Sequence, residues 1–211
     1  TIPHKIEVMK YLDEINEVAD KIGAVNTIVN DNGVLKGYNT DWLGVVIPLE
    51  KVTSLENKKV ALIGAGGAAR AAAYGVTQRG AKLIIYNRTI ERAQELAKEF
   101  GGEAHSLDDI EGIKNTDIIF NATSVGLPPE ENETPLSKEL ITSDHIVFDA
   151  IYVPYETRLL KEAKQQGATI IHGMEMLLQQ AVVQFKLYTG YDAPEDVMRS
   201  VLLHQLGIKE K

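Results

Sequence analysis

A short apolar run, Val60-Ala61-Leu62-Ile63, leads into a glycine-rich turn, Gly64-Ala65-Gly66-Gly67, and then into an alanine-rich stretch that reads as a helix as far as Arg79. No other feature of the chain constrains the fold as tightly. An apolar run without polar alternation fits a strand buried on both faces. The turn satisfies the pattern GxGxxA at Gly64, Gly66 and Ala69. Between a strand and a helix, the first glycine permits a tight turn and the second lets the backbone approach a pyrophosphate. The small third residue lets the helix pack closely on the sheet. The helix start adds unpaired N–H groups and the positive end of the helix dipole. Gly64, Ala65, Gly66, Gly67 and Ala68 are therefore candidate phosphate-binding residues of a dinucleotide site. The plain structural alternative is a glycine-rich turn that only packs a helix tightly.

Residues 82–86 read as the next strand and 90–100 as the next helix, followed by apolar strands over 117–121 and 145–149. A helix over 156–166 and a short strand over 169–171 continue the alternation. This order predicts an α/β fold, a Rossmann-type doubly wound parallel sheet with helices on both faces. Two helices end the chain, one over about 174–188 and one starting at Asp192-Ala193-Pro194. Upstream, residues 5–19 read as a helix, with Ile6, Met9, Leu12 and Ile15 at helical spacing. Residues 25–30 and 34–38 read as strands joined through Asp31-Asn32-Gly33, a strong hairpin signal. Asn39-Thr40-Asp41 then precedes an apolar stretch, with Thr40 or Asp41 as the expected helix cap. Residues 128–133 read as an exposed loop.

The end of the second Rossmann strand selects the cofactor. An NAD site places Asp or Glu there to hold the ribose 2′-hydroxyl. This chain has Tyr86-Asn87-Arg88-Thr89, with Arg92 four residues past Arg88. A planar, always charged guanidinium suits a 2′-phosphate, which a carboxylate would repel. NADP is therefore the expected cofactor. The alternative is that Arg88 and Arg92 are solvated residues at a helix start.

Composition narrows the remaining classes. A net charge of −8 gives no electrostatic footprint for nucleic acid. No apolar run approaches the roughly 20 residues needed to cross a bilayer. Cysteine is absent, which removes disulfides and thiolate chemistry. The five histidines, at 4, 105, 145, 172 and 204, lack metal-ligand spacing. We expect a cytoplasmic protein, monomeric or homodimeric, without a metal, nucleic-acid or membrane partner.

Three polar spots outside the Rossmann pattern remain: Lys5, Asn26-Thr27, and Asn39-Thr40-Asp41. Each alone has a bland reading, as a surface lysine, a strand-edge amide and a helix cap. Together with the cofactor turn the chain resembles the shikimate dehydrogenase family. The matching stretches run in the family's order. They are Thr1-Ile2-Pro3-His4-Lys5, Gly23-Ala24-Val25-Asn26-Thr27, Gly37-Tyr38-Asn39-Thr40-Asp41, Gly64-Ala65-Gly66-Gly67-Ala68 and Asn87-Arg88-Thr89. Asn121-Ala122-Thr123-Ser124 follows, then Asp149-Ala150-Ile151-Tyr152 with Pro154 and Thr157, then Gly173 with Met176, Leu177 and Gln180.

The resemblance implies an oxidoreductase that reversibly reduces 3-dehydroshikimate to shikimate with NADPH, in the biosynthesis of chorismate and aromatic amino acids. It implies Lys5 and Asp41 as the paired acid/base residues. Thr1, Asn26, Tyr152 and Gln180 become substrate contacts. Asn87, Arg88, Thr89, Arg92, Thr123 and Gly173 join the glycine-rich turn in the cofactor site. It also implies a substrate domain of residues 1–42 and 173–211, an N-terminally incomplete α/β unit finished by the C-terminal helices. Residues 43–172 then form the NADP-binding domain with a linker helix. A quinate/shikimate dehydrogenase and a truncated, non-catalytic NADP-binding module are the alternatives.

Two features depart from the family pattern. Trp42 stands where the family commonly has glycine, and it is expected to narrow the site or shift the helix start. The family also carries a serine pair upstream of the position of Thr1, so we expect the native chain to include residues before Thr1.

Overall fold

The computed structural model describes residues 4–208. Its larger sheet has six strands: β4 (Lys59–Ile63), β5 (Lys82–Asn87), β6 (Glu103–Ser106), β7 (Ile118–Asn121), β8 (Ile146–Asp149) and β9 (Thr169–Ile171). They lie in the order β6-β5-β4-β7-β8-β9, and every pairing is parallel. The chain winds outward from β4 in one direction, then returns to β4's other side and winds the opposite way. This is the predicted doubly wound sheet, and its switch point lies between β4 and β7. Ligand crevices form there, beyond the carboxyl ends of the strands.

The apolar run in β4 is buried on both faces. Val60 and Leu62 join a core with α3 (Gly67–Thr77) and α4 (Ile90–Phe100), while Ala61 and Ile63 pack with Leu136, Leu140, Leu159 and Leu160 on the opposite face. Leu159 and Leu160 belong to α5 (Arg158–Gln165). The strand β6 has no counterpart among the strands expected from the sequence. Its four residues, Glu103-Ala104-His105-Ser106, are a mostly polar edge with no apolar run to announce them.

The smaller sheet contains β1 (Glu14–Ile15), β2 (Thr27–Asp31) and β3 (Val34–Tyr38), in the order β1-β3-β2. The hairpin of β2 and β3 turns at Asn32 and Gly33, whose φ values are 52° and 97°. Two consecutive positive φ angles are what a tight two-residue hairpin loop requires.

The helix expected over 5–19 does not form. Instead the chain makes a 3₁₀ turn over Glu7–Tyr11, the short β1, and then α1 (Glu17–Ile22). Tertiary pairing overrides the apolar spacing. The Asp13 N–H donates to Leu35 O (3.0 Å) and the Asn16 N–H to Gly37 O (2.9 Å), which holds residues 13–16 extended beside β3. The Asn16 side chain then caps α1 by accepting from Val18 N–H. Ile6 is consequently exposed rather than part of an apolar stripe.

Helix α2 (Asp41–Glu50) follows β3 and packs against both α3 and α6 (Gly173–Thr189); α7 (Glu195–Gln205) closes the chain against α6. A Cβ at Gly44 would sit 2.7 Å from the backbone oxygen of Met176, so the α2–α6 contact tolerates no side chain there. Among the described residues, no helix is long and apolar enough to cross a membrane.

Gly44→Ala must push α2 away from α6. We expect a loss of about 1–3 kcal/mol in folding stability, the usual cost of overpacking. A denaturation midpoint equal to the parent's would contradict this packing.

Candidate active site

The polar residues at the start of α2 build the site. The Asn39 side chain accepts from the Asp41 N–H (3.0 Å) and donates to Ala24 O (2.9 Å). Asn39 therefore does the capping expected of Thr40 or Asp41; Thr40 occupies the cap position without a side-chain cap bond. Asp41, thus held, is buried. One carboxylate oxygen accepts from Lys5 Nζ at 2.5 Å, the other from Asn26 Nδ2 at 2.8 Å. The side chains of Lys5 and Asp41 are only 14% and 7% exposed. Removing either partner from so sheltered a pair leaves a charge without compensation.

Asn26 commits its whole amide to this cluster. It donates to Thr40 Oγ1 (3.0 Å) as well as Asp41, and its carbonyl accepts from the Thr40 N–H (2.9 Å) and Thr27 Oγ1 (2.8 Å). Gln180, on α6, reaches the same group: its Oε1 is 3.5 Å from Thr40 Oγ1. Four sequence-predicted residues, Lys5, Asn26, Asp41 and Gln180, thus converge, from segments far apart in the chain. A recess of about 90 Å³ borders Lys5 and Asn26. Tyr152 is exposed on the loop after β8 and makes no hydrogen bond to the cluster. Thr1 lies outside the described residues.

The glycine-rich turn sits at the carboxyl end of β4. Gly64 has φ +112°, and a Cβ there would meet Ala122 and the Thr123 methyl at 3.1–3.2 Å. Thr123 is fixed by its hydroxyl bond to Asn121 Oδ1 (2.7 Å). Gly66 is different. Its φ and ψ, −92° and −168°, suit any residue, and a Cβ there would meet nothing within 4 Å. Among the described residues neither the backbone nor the protein's own packing demands glycine at 66, and close approach of a ligand would explain it. Among the described residues no side chain caps the start of α3, so its first N–H groups, which have no acceptor within the helix, suit an anionic ligand.

At the end of β5, Asn87 Nδ2 donates to Thr89 O (2.8 Å) and shapes the turn into α4. Arg88 and Arg92 are exposed, and among the described residues neither pairs with a carboxylate. Their guanidinium groups are free for an anion. Gly173 opens α6 so close to Ile151 that a Cβ would lie 2.3 Å from its carbonyl oxygen. Its place is thereby one of packing against the β8 loop.

Trp42 does not overhang the site. Its ring packs edge-on to Tyr74 of α3 (5.7 Å between centroids), and Arg79 lies 5.6 Å above it. Helix α2 starts at Asp41 as expected. Neither the narrowing nor the shifted helix start expected from Trp42 is seen.

A second polar cluster lies beyond the residues that the sequence singles out for a role. The Asp149 carboxylate, fully buried at the end of β8, accepts from Asn121 Nδ2 (3.0 Å), the Ile151 N–H (3.0 Å) and Thr157 Oγ1 (2.7 Å). It ties the ends of β7 and β8 to the loop carrying Tyr152. Burial pushes its pKa up to about 6, against the pull of those three donors.

Lys5 joins the two halves of the site. Its aliphatic stem lies against the start of α3, 3.4 Å from where a Cβ of Gly67 would be, while its ammonium grips Asp41. A glycine-rich turn at the switch point of a doubly wound sheet, with a lysine–carboxylate pair laid against it, fits a nucleotide-dependent oxidoreductase. The chain matches three family profiles: Shikimate / quinate 5-dehydrogenase over residues 47–155, Shikimate 5′-dehydrogenase C-terminal domain over 173–203, and Shikimate dehydrogenase substrate binding domain over 1–28. It is 49% identical to shikimate dehydrogenase (NADP(+)) of Nitrosopumilus maritimus, a match covering 96% of this chain and 77% of that protein. A crystal structure of shikimate dehydrogenase in complex with NADP+ superposes with a TM-score of 0.90 at 44% identity, covering 98% of this chain and 75% of that one. The Thermus thermophilus enzyme in complex with NADP(H) and shikimate gives 0.89 at 36%, covering 97% and 77%. The chain belongs to the shikimate dehydrogenase family. It spans about three quarters of the length of these relatives.

Asp149 carries a pH dependence. Its reference value is 3.8 and its folded value about 6, so between them the folded protein holds a proton that the unfolded chain has released. The resulting stability is complete below about pH 4 and is lost as pH rises through about 6. Its size is of order 2–3 kcal/mol. In Asp149→Asn, this component of the stability profile between pH 4 and 7 should vanish. Parallel profiles for parent and variant would refute the assignment.

Proposed function

We propose that the chain catalyses the reversible, NADPH-dependent reduction of 3-dehydroshikimate to shikimate. The observation that carries this reading is the position of Lys5, stacked on the helix start of the glycine-rich turn while its ammonium pairs with Asp41. The cofactor fits the residues present. Gly64, Ala65, Gly66, Gly67 and Ala68 would receive the pyrophosphate, and Arg88 and Arg92, with Asn87 and Thr89 shaping their turn, the 2′-phosphate. Thr123 and Gly173 would border the remainder. When bound, NADPH supplies the hydride that converts the substrate's carbonyl carbon to a carbinol.

The protein's own residues manage the proton. Among the described residues Lys5 Nζ commits one N–H, to Asp41, which leaves its other N–H groups for the substrate oxygen. As negative charge develops on the substrate oxygen, Lys5 donates a proton to it; in the oxidative direction the same amine accepts the hydroxyl proton. Asp41 orients the ammonium, and Asn26 and Asn39 orient Asp41. The amides of Asn26 and Gln180, with Thr1 and Tyr152, form the substrate's hydroxyl-binding side. For Asn26 this requires exchanging part of its present bonding. A site built from such groups rejects analogues that lack the hydroxyls.

The same reading divides the chain into a substrate domain, residues 1–42 and 173–211, and an NADP-binding domain, residues 43–172. The profile matches at both ends and the separate three-stranded and six-stranded sheets support that division. A cytoplasmic monomer or homodimer belongs to this reading too.

Loss of NADPH absorbance on addition of 3-dehydroshikimate tests the proposal. Lys5→Ala should lower kcat by about 10²–10⁴-fold while NADPH still binds. Unchanged turnover would remove Lys5 from the chemistry, and no turnover by the parent chain would defeat the reading. Arg88→Ala should weaken NADPH by about tenfold or more, the scale of a charge-assisted phosphate contact, while leaving NADH little changed. Equal losses for both cofactors would contradict the 2′-phosphate assignment.

A further inference from the structure

Arg70 belongs to the first turns of α3, yet its side chain leaves the larger sheet's layer and crosses to the segment that follows α1. Its Nε donates to Ile22 O at 2.6 Å, one of the carbonyls left unpaired at the end of α1. Its Nη2 is ion-paired with Glu99, and its guanidinium carbon lies 5.5 Å above the Phe100 ring. Gly23 makes room for it. That residue has φ +68°, and a Cβ there would fall 2.6 Å from Nη2 and 3.1 Å from the guanidinium carbon. The side chain is only 18% exposed.

The three residues after Gly23 each hold one part of the Lys5–Asp41 pair. Ala24 O accepts from Asn39, whose side chain caps the Asp41 N–H. The Val25 N–H donates to the backbone oxygen of Lys5 at 2.8 Å. Asn26 donates to the Asp41 carboxylate. The segment is held on α3 by the Arg70–Ile22 bond together with apolar packing of Ile22 and Ala24 on Ala71 and Tyr74, and the aromatic contacts of Trp42 with Tyr74 and of Tyr74 with Phe100 line the same seam.

We propose that Arg70 is a positioning residue for the reaction: a strut that sets the distance and orientation of the Lys5–Asp41 pair relative to the dinucleotide turn. Its side-chain contacts are with the protein's own Ile22, Glu99 and Phe100. Lysine cannot replace it, because one ammonium cannot bond the Ile22 carbonyl through a side-on N–H, pair with Glu99 and stack flat on Phe100 together. The effect on turnover rests on the functional reading above; the strut itself does not.

Two readouts separate them. Hydrogen exchange is followed in the parent, Arg70→Lys and Arg70→Ala, without added ligand. The amides of Val25 and Asn26 should lose protection in both variants, while those of β4 keep theirs. In the assay with NADPH and 3-dehydroshikimate, kcat should fall about 10- to 100-fold, the scale of a misplaced catalytic group. NADPH affinity should stay within about twofold, because Arg70 points away from the turn, and the Lys variant should not rescue kcat. Glu99→Gln, which leaves the Ile22 bond in place, should leave kcat near that of the parent. Parental protection at Val25 in a folded variant overturns the strut. Lost protection with parental kcat overturns its role in positioning. Lost protection in a chain whose parent shows no turnover leaves the strut standing and defeats the functional reading instead.

Discussion

A lysine ammonium and an aspartate carboxylate 36 residues apart meet at 2.5 Å in a sheltered corner of this chain, and much of the surrounding architecture exists to keep them there. Neither group holds its position alone. Asp41 is fixed through its backbone by Asn39 and through its side chain by Asn26; Lys5 is fixed through its backbone by Val25. The hairpin supplies Asn26 and leads directly into Asn39, and α2 begins at the carboxylate itself. An ion pair so shielded from solvent is stable only when its remaining lone pairs are hydrogen-bonded, and here both carboxylate oxygens are.

The doubly wound sheet gives the pair its chemical meaning. Reversal of winding between β4 and β7 puts Gly64 and the start of α3, uncapped by any described side chain, at the switch point of the sheet, where ligand crevices form in such folds. Lys5 lies against that same helix start. The close α2–α6 contact at Gly44 brings Gln180 beside Thr40, so the C-terminal helices complete the polar cluster begun by the hairpin. The Asp149 cluster plays a comparable part on the opposite side, pinning the loops after β7 and β8.

The parts legible in the sequence are those set by local physics. The β4 strand, its glycine turn and α3 follow from an apolar run, positive φ and helix propensity within about twenty residues. The hairpin at Asn32-Gly33 follows from the turn it requires. Residues 5–19 mislead because apolar spacing is a weak signal against the backbone pairing of residues 13–16 with β3, which only tertiary structure reveals. The polar edge strand β6 escapes for want of any pattern. For the site, Lys5, Asn26 and Asp41 stand out as polar spots, but their union comes from family resemblance and not from spacing. Asn121, Asp149 and Thr157 are visible only as motif letters, Asn39 only as one member of a polar spot, and Arg70 does not stand out at all. Their partners are far away in the chain or are backbone atoms, so no local pattern can announce what they do. Trp42 shows the converse: a residue next to Asp41 in sequence whose ring faces the α2–α3 seam.

Everything in this mechanism depends on the Lys5–Asp41 pair facing the reacting carbon. A crystal structure of this chain with NADP+ and shikimate tests it most directly. The 2′-phosphate should lie on Arg88 and Arg92, the pyrophosphate on the Gly64–Gly67 turn, and Lys5 Nζ within hydrogen-bond reach of the hydroxyl being oxidised. Shikimate bound with that hydroxyl turned away from Lys5, or a dinucleotide lying elsewhere than the β4–β7 crevice, would contradict it.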